Sequence, residues 1–372
     1  MTNRKLSTGV FALACSLAFT PLALAQSGPS PDAPPPPFAA PDMRAVGPTR
    51  PNAEMQHVLD TLGSLGGKPI ETLTPAQARR QPTPTDAVKA IMRERGIAMD
   101  TAVTTEERSY GDNPWQKVRI YHPAGHAGMN HAAGGMPLVV YYHGGGWVIA
   151  DLDTYDGAPR AMAKALNAIV ISVEYRHAPE FKFPSQHEDA ALAYRWVLSQ
   201  APAMGVDPRR IAFAGESAGG NLAVATAIYA RDNRLTMPRA IVSVYPIADT
   251  RNVLPSRIDS AAAKPLNTPM LGWFGNYYMR SMADAQDPRL NLVRADLRRL
   301  PPVTIINASI DPLRSDGDNL AVALRRAGNS VVQRTYPGVT HEFFGMAPVV
   351  KTAAQAQMFA VQRLRPALAP RR

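Results

Sequence analysis

Cysteine is nearly absent from this sequence of 372 residues. The single Cys15 lies within the first 25 residues, so a chain that loses those residues contains no cysteine. Disulfide bonds, thiolate metal ligands and a cysteine nucleophile are then excluded, and the fold must be stabilised by an ordinary hydrophobic core. Any covalent catalysis needs another nucleophile.

Long apolar runs are also lacking, except for one near the start. A basic "NRK" precedes the apolar segment 10–19, which Pro21 interrupts, and the small residues of "ALA" at 23–25 fit a cleavage site. We predict a signal peptide over 1–25. The protein is then exported, periplasmic or secreted, with no stable membrane insertion after cleavage.

Two other interpretations of this segment remain open. One is an uncleaved anchor, although a membrane span needs roughly 20 apolar residues and the run at 10–19 is shorter. The other is a lipoprotein site at Cys15, although Ala12 stands where leucine is usual and the residues after Cys15 stay apolar.

Acidic residues are fewer than basic ones, with 30 Asp and Glu against 40 Lys and Arg and a formal net charge of +10. Aromatic residues make up only 7% of the chain, and no stripe of basic residues alternates with them as in a nucleic-acid groove. We therefore predict no nucleic-acid partner. The dispersed arginine pairs are typical of a solvated basic surface, with weak attraction to anionic surfaces as the alternative.

The chain before residue 103 contains two further predicted segments after the signal peptide. The proline-rich stretch 26–51 is typical of a linker that needs no packed core. The residues 52–65 and 74–100 have helical patterns, the second with a Thr-Pro start signal. We predict that 52–102 forms N-terminal cap helices over the domain that follows.

Segments typical of strands and helices alternate from residue 103 onward. Several strands are continuous runs of β-branched apolar residues, as in a parallel sheet buried on both faces. The predicted strands are 117–123, 138–144, 168–175, 210–216, 240–246, 303–311 and 330–338, and the predicted helices are 154–167, 186–200, 219–232 and 317–328. This alternation predicts an α/β fold with a mostly parallel sheet flanked by helices.

The segment 251–296 interrupts this alternation, because it is too long for a simple crossover connection. We predict a cap insertion there. Within it, Trp273, Phe274, Tyr277 and Tyr278 recur at helical spacing. These aromatic residues either pack as a core face or belong to a cap helix that lines a substrate pocket.

The stretch "IAFAGESAGGNLAVATAIYA" at 211–230 predicts a strand, a tight turn and a helix, with Gly215-x-Ser217-x-Gly219 at the turn. In such a nucleophile elbow, a strained turn holds the serine Oγ clear of the backbone, and small neighbours let strand and helix approach. A glycine-rich helix start is the plainer alternative, and a phosphate-binding loop is disfavoured because no lysine follows. Ser217 is therefore the candidate nucleophile.

A serine nucleophile needs a histidine base, and the base needs an orienting carboxylate. With an elbow, the expected chain order is serine, acid, histidine. Asp311 ends a predicted strand, and His341, the only histidine after residue 187, follows the last strand. Asp316 and Asp318 are rival acids. Glu342 is expected to support His341 rather than to react.

Three glycines in "YYHGGGW" at 141–147 follow directly on a predicted strand. Glycine lets consecutive backbone N–H groups turn toward one point, as an oxyanion hole for acyl transfer requires. The N–H of Ala218, after the nucleophile, is the expected partner of this loop. A flexible turn is the alternative, although it would not need the bulky Trp147. We predict that Gly146 and Trp147 shape the loop and wall the pocket.

Other polar clusters give weaker signals. His122, His126 and His131 offer metal ligands, but their glycine- and alanine-rich loop lacks acids and is more typical of a solvated hairpin. We predict no metal site and no cofactor. The stretch "EYR" at 174–176 follows a strand and is expected to form a buried structural pair rather than to catalyse.

Together these residues resemble the hormone-sensitive-lipase-like esterases of the α/β-hydrolase superfamily. The matching landmarks are "HGGGW" (143–147), "EYRHAPEFKFP" (174–184), "GESAGG" (215–220), "DPLRSDG" (311–317) and "HEFFGM" (341–346). The resemblance implies an α/β-hydrolase fold, with 103–372 as the catalytic domain and the early helices as a cap.

The resemblance also implies roles for individual residues. Ser217 would be the nucleophile, His341 the base and Asp311 its partner, and His143 would anchor the glycine loop. The implied oxyanion donors are Gly144, Gly145 and Ala218, and the implied pocket residues are Trp147, Trp273, Phe274 and Tyr277. The sequence departs from the family's usual pattern at Glu216, at Ser315 and at "HEFF".

The expected function is that of a serine carboxylesterase that hydrolyses short-chain esters of small molecules through an acyl-enzyme. Short chains are expected because the caps of this family usually confine the pocket. The same triad serves hydrolases of acetylated sugars, lactones and amides, and the fold also occurs in non-catalytic binding modules, which lack the histidine that His341 supplies. The oligomeric state stays open, a dimer included.

Overall fold

An eight-stranded sheet forms the centre of the computed structural model, which describes residues 50–125 and 135–370. Its spatial order is β1-β2-β4-β3-β5-β6-β7-β8. The strands are β1 Thr104–Ser109, β2 Lys117–His122, β3 Met136–Tyr142, β4 Ile169–Val173, β5 Val206–Glu216, β6 Ile241–Val244, β7 Val303–Ile310 and β8 Val331–Thr340. The predicted signal peptide, most of the predicted linker, His126 and His131 lie outside the described residues.

The sheet is parallel from β4 through β3 to β8, and only β1 and β2 run antiparallel to their neighbours. All seven predicted strands are present. The strand that the sequence analysis missed is β1, whose residues "TTEERS" are almost all exposed. An edge strand of polar residues has no apolar alternation, so the hydrophobic pattern could not reveal it.

Helices cover both faces of the sheet. Along β3, Leu138, Val140 and Tyr142 face one core, which includes residues of α5, α6, α8 and α9. Val139 and Tyr141 face the other, which includes residues of α1, α3, α4 and α10. The helices in the described residues are α1 Ala53–Ser64, α2 Pro75–Ala78, α3 Pro84–Glu94, α4 Gly157–Leu166, α5 Ser185–Gln200, α6 Ala218–Asp232, α7 Pro255–Asp259, α8 Thr268–Tyr278, α9 Arg314–Arg326 and α10 Lys351–Leu368.

Two stretches differ from the predicted helices. The predicted helix 74–100 is two helices, because Thr74 and Thr83 each form a capping box with a proline at the first helical position, and α3 ends at Glu94. The segment 251–296 contains α7 and α8, and the side chain of Asn267 caps the start of α8. The last helix, α10, was not predicted. Within the described ranges, no helix combines the length and apolarity needed to cross a membrane.

The early helices pack into the main core. Met55 and Val58 of α1 and Ile91 of α3 have no exposed surface, and they share a core cluster with residues of β3 and α10. The backbone N–H of Asn52 donates to the carbonyl of Gly338 in β8 at 2.8 Å. The segment that begins at Asn52 is therefore part of the same folded unit as the sheet.

We expect Ile91→Ala to lower the free energy of unfolding by roughly 2–5 kcal/mol, because it leaves a cavity at a fully buried site. Urea unfolding followed by circular dichroism measures the change. Arg93→Ala, on the exposed side of the same helix, is the matched control and should change the free energy by less than about 0.5 kcal/mol. Equal effects of the two substitutions would contradict the packing of α3 against the core.

Candidate active site

Ser217 lies at a strained turn between β5 and α6. Its backbone has φ 56° and ψ −117°, a conformation that residues with a β-carbon seldom adopt. A Cβ on Gly219 would lie 2.0 Å from the carbonyl oxygen of Tyr142, and one on Gly215 would lie 2.2 Å from that of Gly219. The glycines of the elbow pattern are therefore required by backbone contacts on both sides of the serine.

His341 bridges Ser217 and Asp311. Its Nε2 lies 3.0 Å from Ser217 Oγ, and its Nδ1 lies 2.7 Å from Asp311 Oδ2. Asp311 follows β7 and His341 follows β8, so the parallel sheet brings both to the edge where β5 ends at the serine. The structure thus places the three residues singled out by the sequence in one hydrogen-bonded chain.

The rival acids have other partners. Asp316 accepts hydrogen bonds from the backbone N–H groups of Ala248 and Asp249 and pairs with Arg257 at 3.2 Å. Burial raises the pKa of Asp316 to about 6. Asp318 accepts from Asn307 at 3.0 Å. Neither carboxylate contacts the ring of His341 in the way that Asp311 does.

The pKa of His341 is set by opposing influences. Burial of the ring lowers the pKa, but the negative charge and hydrogen bond of Asp311, together with the charge of Glu342, outweigh it. The net result is a pKa above the ordinary value for histidine. The two acidic neighbours thus favour the protonated ring, which is the form that a general base reaches after taking a proton.

Glu342 lies beside Nε2 of His341, the nitrogen that faces Ser217. Its Oε1 is 3.9 Å from His341 Nε2 and accepts a hydrogen bond of 2.6 Å from Tyr155 Oη. The residue adopts a left-handed backbone with φ 70°, which turns the chain after the histidine. Burial raises the pKa of the Glu342 carboxyl. This position fits the supporting role expected from the sequence.

Glu216, directly before the serine, is buried between two tyrosines. The hydroxyl groups of Tyr141 and Tyr245 both donate to its carboxyl group. Burial raises the pKa of Glu216 to about 8, so its carboxyl is mostly protonated at neutral pH. The ring of Tyr245 also packs against His341 at a centroid distance of 4.4 Å. Sequence reasoning missed these tyrosines, because in a strand pattern they resemble ordinary core residues.

The glycine loop turns sharply after β3. Gly145 and Gly146 have φ 91° and 58°, in the left-handed region that glycine tolerates. A Cβ on Gly145 would lie 2.1 Å from the carbonyl oxygen of Ile149, and one on Gly146 would lie 2.4 Å from Phe274. Within the described residues, the backbone N–H groups of Gly144, Gly145, Gly146 and Ala218 donate to no protein acceptor.

His143 and the segment after β4 fasten this loop. His143 Nδ1 lies 2.8 Å from the carbonyl oxygen of Gly144, and its Nε2 lies 3.1 Å from Glu174 Oε1. The ring of Tyr175 stacks on that of His143 at 4.3 Å, and its hydroxyl donates to the carbonyl oxygens of His143 and Gly144 at 2.9 and 3.0 Å. Arg176 pairs separately with Asp189 at 2.8 Å. The structural role expected for "EYR" matches these contacts.

A cavity of about 410 Å³ opens onto Ser217 and His341. Gly145 and Gly146 line it, whereas Gly144 does not. A Cβ on Gly144 would lie 2.2 Å from Tyr155 Oη. Two other parts of the chain line the cavity. The segment 70–84 contributes Ile70, Ala78, Arg79, Gln81, Pro82, Thr83 and Pro84, and α8 with the residues just before it contributes Pro265, Leu266, Met270, Leu271 and Phe274.

Of the four aromatic residues expected in the pocket, only Phe274 lines this cavity. Trp147 is buried and stacks on Tyr278 at 4.3 Å instead. The ring of Trp273 packs against Tyr277 at 4.9 Å, and its Nε1–H donates to the carbonyl oxygen of Leu73 at 2.8 Å. The structure therefore corrects the expectation for Trp147, Trp273 and Tyr277, none of which lines this cavity: Trp147 packs on Tyr278, and Trp273 packs on Tyr277 and bonds to Leu73.

Of the three histidines considered as metal ligands in the sequence, only His122 lies within the described residues. His122 ends β2, and its Nε2 lies 3.2 Å from Glu106 Oε1. A different group of possible ligands, His143, Glu174 and His177, is buried behind the glycine loop. The sequence analysis did not single out His177.

Comparison with known proteins agrees with this geometry. Residues 139–345 match the family described as alpha/beta hydrolase fold. An ethyl acetate hydrolase of Pseudomonas putida is 33% identical over 307 residues, which cover 81% of this chain and 94% of that protein. Carboxylesterase NlhH of Mycobacterium tuberculosis is 38% identical over 262 residues, covering 68% of this chain and 79% of that protein.

Solved structures that this chain resembles are also esterases. A thermostable esterase from Pseudomonas putida superposes with a TM-score of 0.76 at 28% identity, covering 87% of this chain and all of that one. A hyperthermophilic esterase from Pyrobaculum calidifontis superposes with a TM-score of 0.73 at 32% identity, covering 85% and 98%. The predicted fold is confirmed, and the chain belongs to the α/β-hydrolase family, among its hormone-sensitive-lipase-like esterases.

Proposed function

We propose that Ser217, His341 and Asp311 form the catalytic triad of this carboxylic ester hydrolase and that its substrates are short-chain esters. The observation that carries the proposal is the position of His341, with Nε2 3.0 Å from Ser217 Oγ and Nδ1 2.7 Å from Asp311 Oδ2. A base within hydrogen-bond reach of a hydroxyl, itself oriented by a buried carboxylate, is the arrangement that activates a serine.

The reaction follows from these contacts. His341 Nε2 takes the proton of Ser217 as Oγ attacks the ester carbonyl carbon, while Asp311 accepts the Nδ1–H bond and stabilises the imidazolium. The tetrahedral intermediate collapses, His341 returns the proton to the leaving alcohol, and an acyl-enzyme remains. Water then attacks the acyl group with His341 again as base, which releases the acid and restores Ser217.

The oxyanion donors are proposed one residue further along than the sequence suggested. Gly145 and Gly146 line the cavity next to Ser217, whereas Gly144 does not. We therefore assign the backbone N–H groups of Gly145, Gly146 and Ala218 to the developing oxyanion. Each such donor contributes about 3 kcal/mol of transition-state stabilisation.

The preference for short acyl chains rests on the cavity. Its volume of about 410 Å³ is shared between the acyl and alcohol parts of an ester, and Met270, Leu271 and Phe274 of α8 form one of its apolar walls. Among the relatives, the one from Pseudomonas putida is named for ethyl acetate, an ester with a two-carbon acyl group. An apolar wall beside the proposed nucleophile suits the short acyl part of such substrates.

We expect Ser217→Ala to lower kcat for p-nitrophenyl butyrate by about 10⁶-fold, because the acyl-enzyme can no longer form. Steady-state hydrolysis measures the loss, and an unchanged thermal melt shows that the variant is folded. Ser199→Ala, an exposed serine at the end of α5, is the matched control and should keep full activity. Comparable activity of Ser217→Ala and the unmodified protein would refute the assignment of the nucleophile.

We also expect kcat/KM to fall on the acid side with an apparent pKa above about 6.5, because His341 must be neutral to act as base and its pKa is raised. Removing one of the charges that raise this pKa, in Glu342→Gln, should move the acid limb to lower pH. Profiles of kcat/KM from pH 5 to 9 measure both effects.

The control for this shift is Glu94→Gln, which removes an exposed carboxylate on α3. It should leave the acid limb in place, because an exposed charge on the early helices is screened by solvent. A limb that stays fixed or moves to higher pH in Glu342→Gln would show that Glu342 does not act on His341 through its charge.

A further inference from the structure

Three titratable side chains that the proposed mechanism does not use meet beside the glycine loop. His143 belongs to that loop, and Glu174 and His177 follow β4. All three are buried, with exposed fractions of 0%, 5% and 4%. One possible ligand atom from each lies within 4.8 Å of the other two, and no other group in the described part of the chain has this arrangement.

The separations suit a small divalent cation. His143 Nε2 and His177 Nε2 each lie 3.1 Å from Glu174 Oε1. A tetrahedral zinc site has metal–nitrogen and metal–oxygen bonds of about 2.0–2.2 Å, which places neighbouring ligand atoms about 3.3–3.5 Å apart. Two of the three sides of the ligand triangle are thus within a few tenths of an ångström of that value, and two histidines with one glutamate are a known zinc ligand set.

One nitrogen atom of this cluster makes no hydrogen bond. His143 Nδ1 lies 2.8 Å from the carbonyl oxygen of Gly144, so its proton is directed there. His177 Nε2 is buried and makes no hydrogen bond, although Glu174 Oε1 lies 3.1 Å away. A buried polar atom without a partner is uncommon and costs free energy. A cation between the three side chains would provide His177 Nε2 with a partner.

The surroundings hold the ligands in place and leave the site accessible. Glu174 Oε2 accepts a backbone hydrogen bond from Leu152 at 3.2 Å, and Trp115 packs edge-on against His177 at 4.3 Å. The nearby cationic side chain of Arg79 is neutralised by a bidentate pair with Glu180 at 2.8 and 2.7 Å. Because Glu174 and His177 line the cavity, an ion can enter from it.

We propose that His143, Glu174 and His177 form a binding site for a divalent transition-metal cation of the zinc class. The ion joins the glycine loop, through His143, to the segment after β4, through Glu174 and His177. It therefore fixes the loop that carries the oxyanion donors. It takes no part in the bond-breaking steps, so the site stands independently of the proposed triad.

The test measures metal binding rather than hydrolysis. The full chain without a histidine tag is freed of metal by EDTA and dialysed, and Zn²⁺ is titrated by calorimetry and by thermal melting. We expect one Zn²⁺ per chain and a higher melting temperature with Zn²⁺. Co²⁺ should give the intense visible absorption of a four-coordinate site with nitrogen and oxygen ligands.

His177→Leu should weaken Zn²⁺ binding by more than the roughly 10- to 100-fold that loss of an outer hydrogen-bond partner costs, because it removes a direct ligand. His57→Gln, which removes a half-exposed histidine near Glu94, should bind like the unmodified chain. If His177→Leu melts much earlier without metal, Glu174→Gln replaces it in the titration. Binding that is absent, or that survives both His177→Leu and Glu174→Gln, would overturn the proposal.

Discussion

The active-site turn depends on a backbone contact that leaves no room for a β-carbon. At Gly219 the start of α6 lies against the carbonyl oxygens of Tyr142 and His143, at distances of 2.0 and 2.4 Å from where a Cβ would be. This approach lets the chain reverse at Ser217 with its strained backbone. It also joins the turn at Ser217 to the end of β3, from which the glycine loop departs. One close contact therefore sets the position of the serine relative to the loop that faces it.

The ring of His341, the proposed base, is buried among acidic side chains. The carboxyl groups of Asp311, Glu342 and Glu216 all lie near His341; Asp311 and Glu216 are buried, and the side chain of Glu342 is 20% exposed. Such groups are costly to bury unless hydrogen bonds satisfy them. Tyrosine hydroxyls bond to Glu342 and Glu216, and the backbone N–H of Leu313 donates to Asp311 at 2.8 Å. The charge that most directly favours the imidazolium is that of Asp311, which touches its ring.

The polar residues of the candidate active site were easier to predict from the sequence than the positions of the aromatic side chains. Ser217, His341 and Asp311 stand in motifs with a fixed order and at the ends of apolar strands, so their meeting was predictable from topology. Trp147 and Trp273 were misplaced because an aromatic residue fits a pocket wall and a core equally well, and only the neighbouring segments decide. The edge strand β1 lacked any apolar signal. His177 escaped notice because α4 and β4 separate it in the sequence from His143, whose ring it meets in the fold.

The early segment has a wider consequence for this enzyme. Residues 70–84 form part of the cavity wall, and they are tied to α8 by Asn267 Nδ2 on Glu71 at 2.8 Å and by Trp273 Nε1 on the carbonyl of Leu73. Arg79 adds a hydrogen bond of 2.8 Å to the carbonyl of Val148, just after the glycine loop. This side of the cavity wall is thus built from parts of the chain that contain none of the three proposed triad residues. Substitutions in these parts can change which esters fit the cavity without altering Ser217, His341 or Asp311.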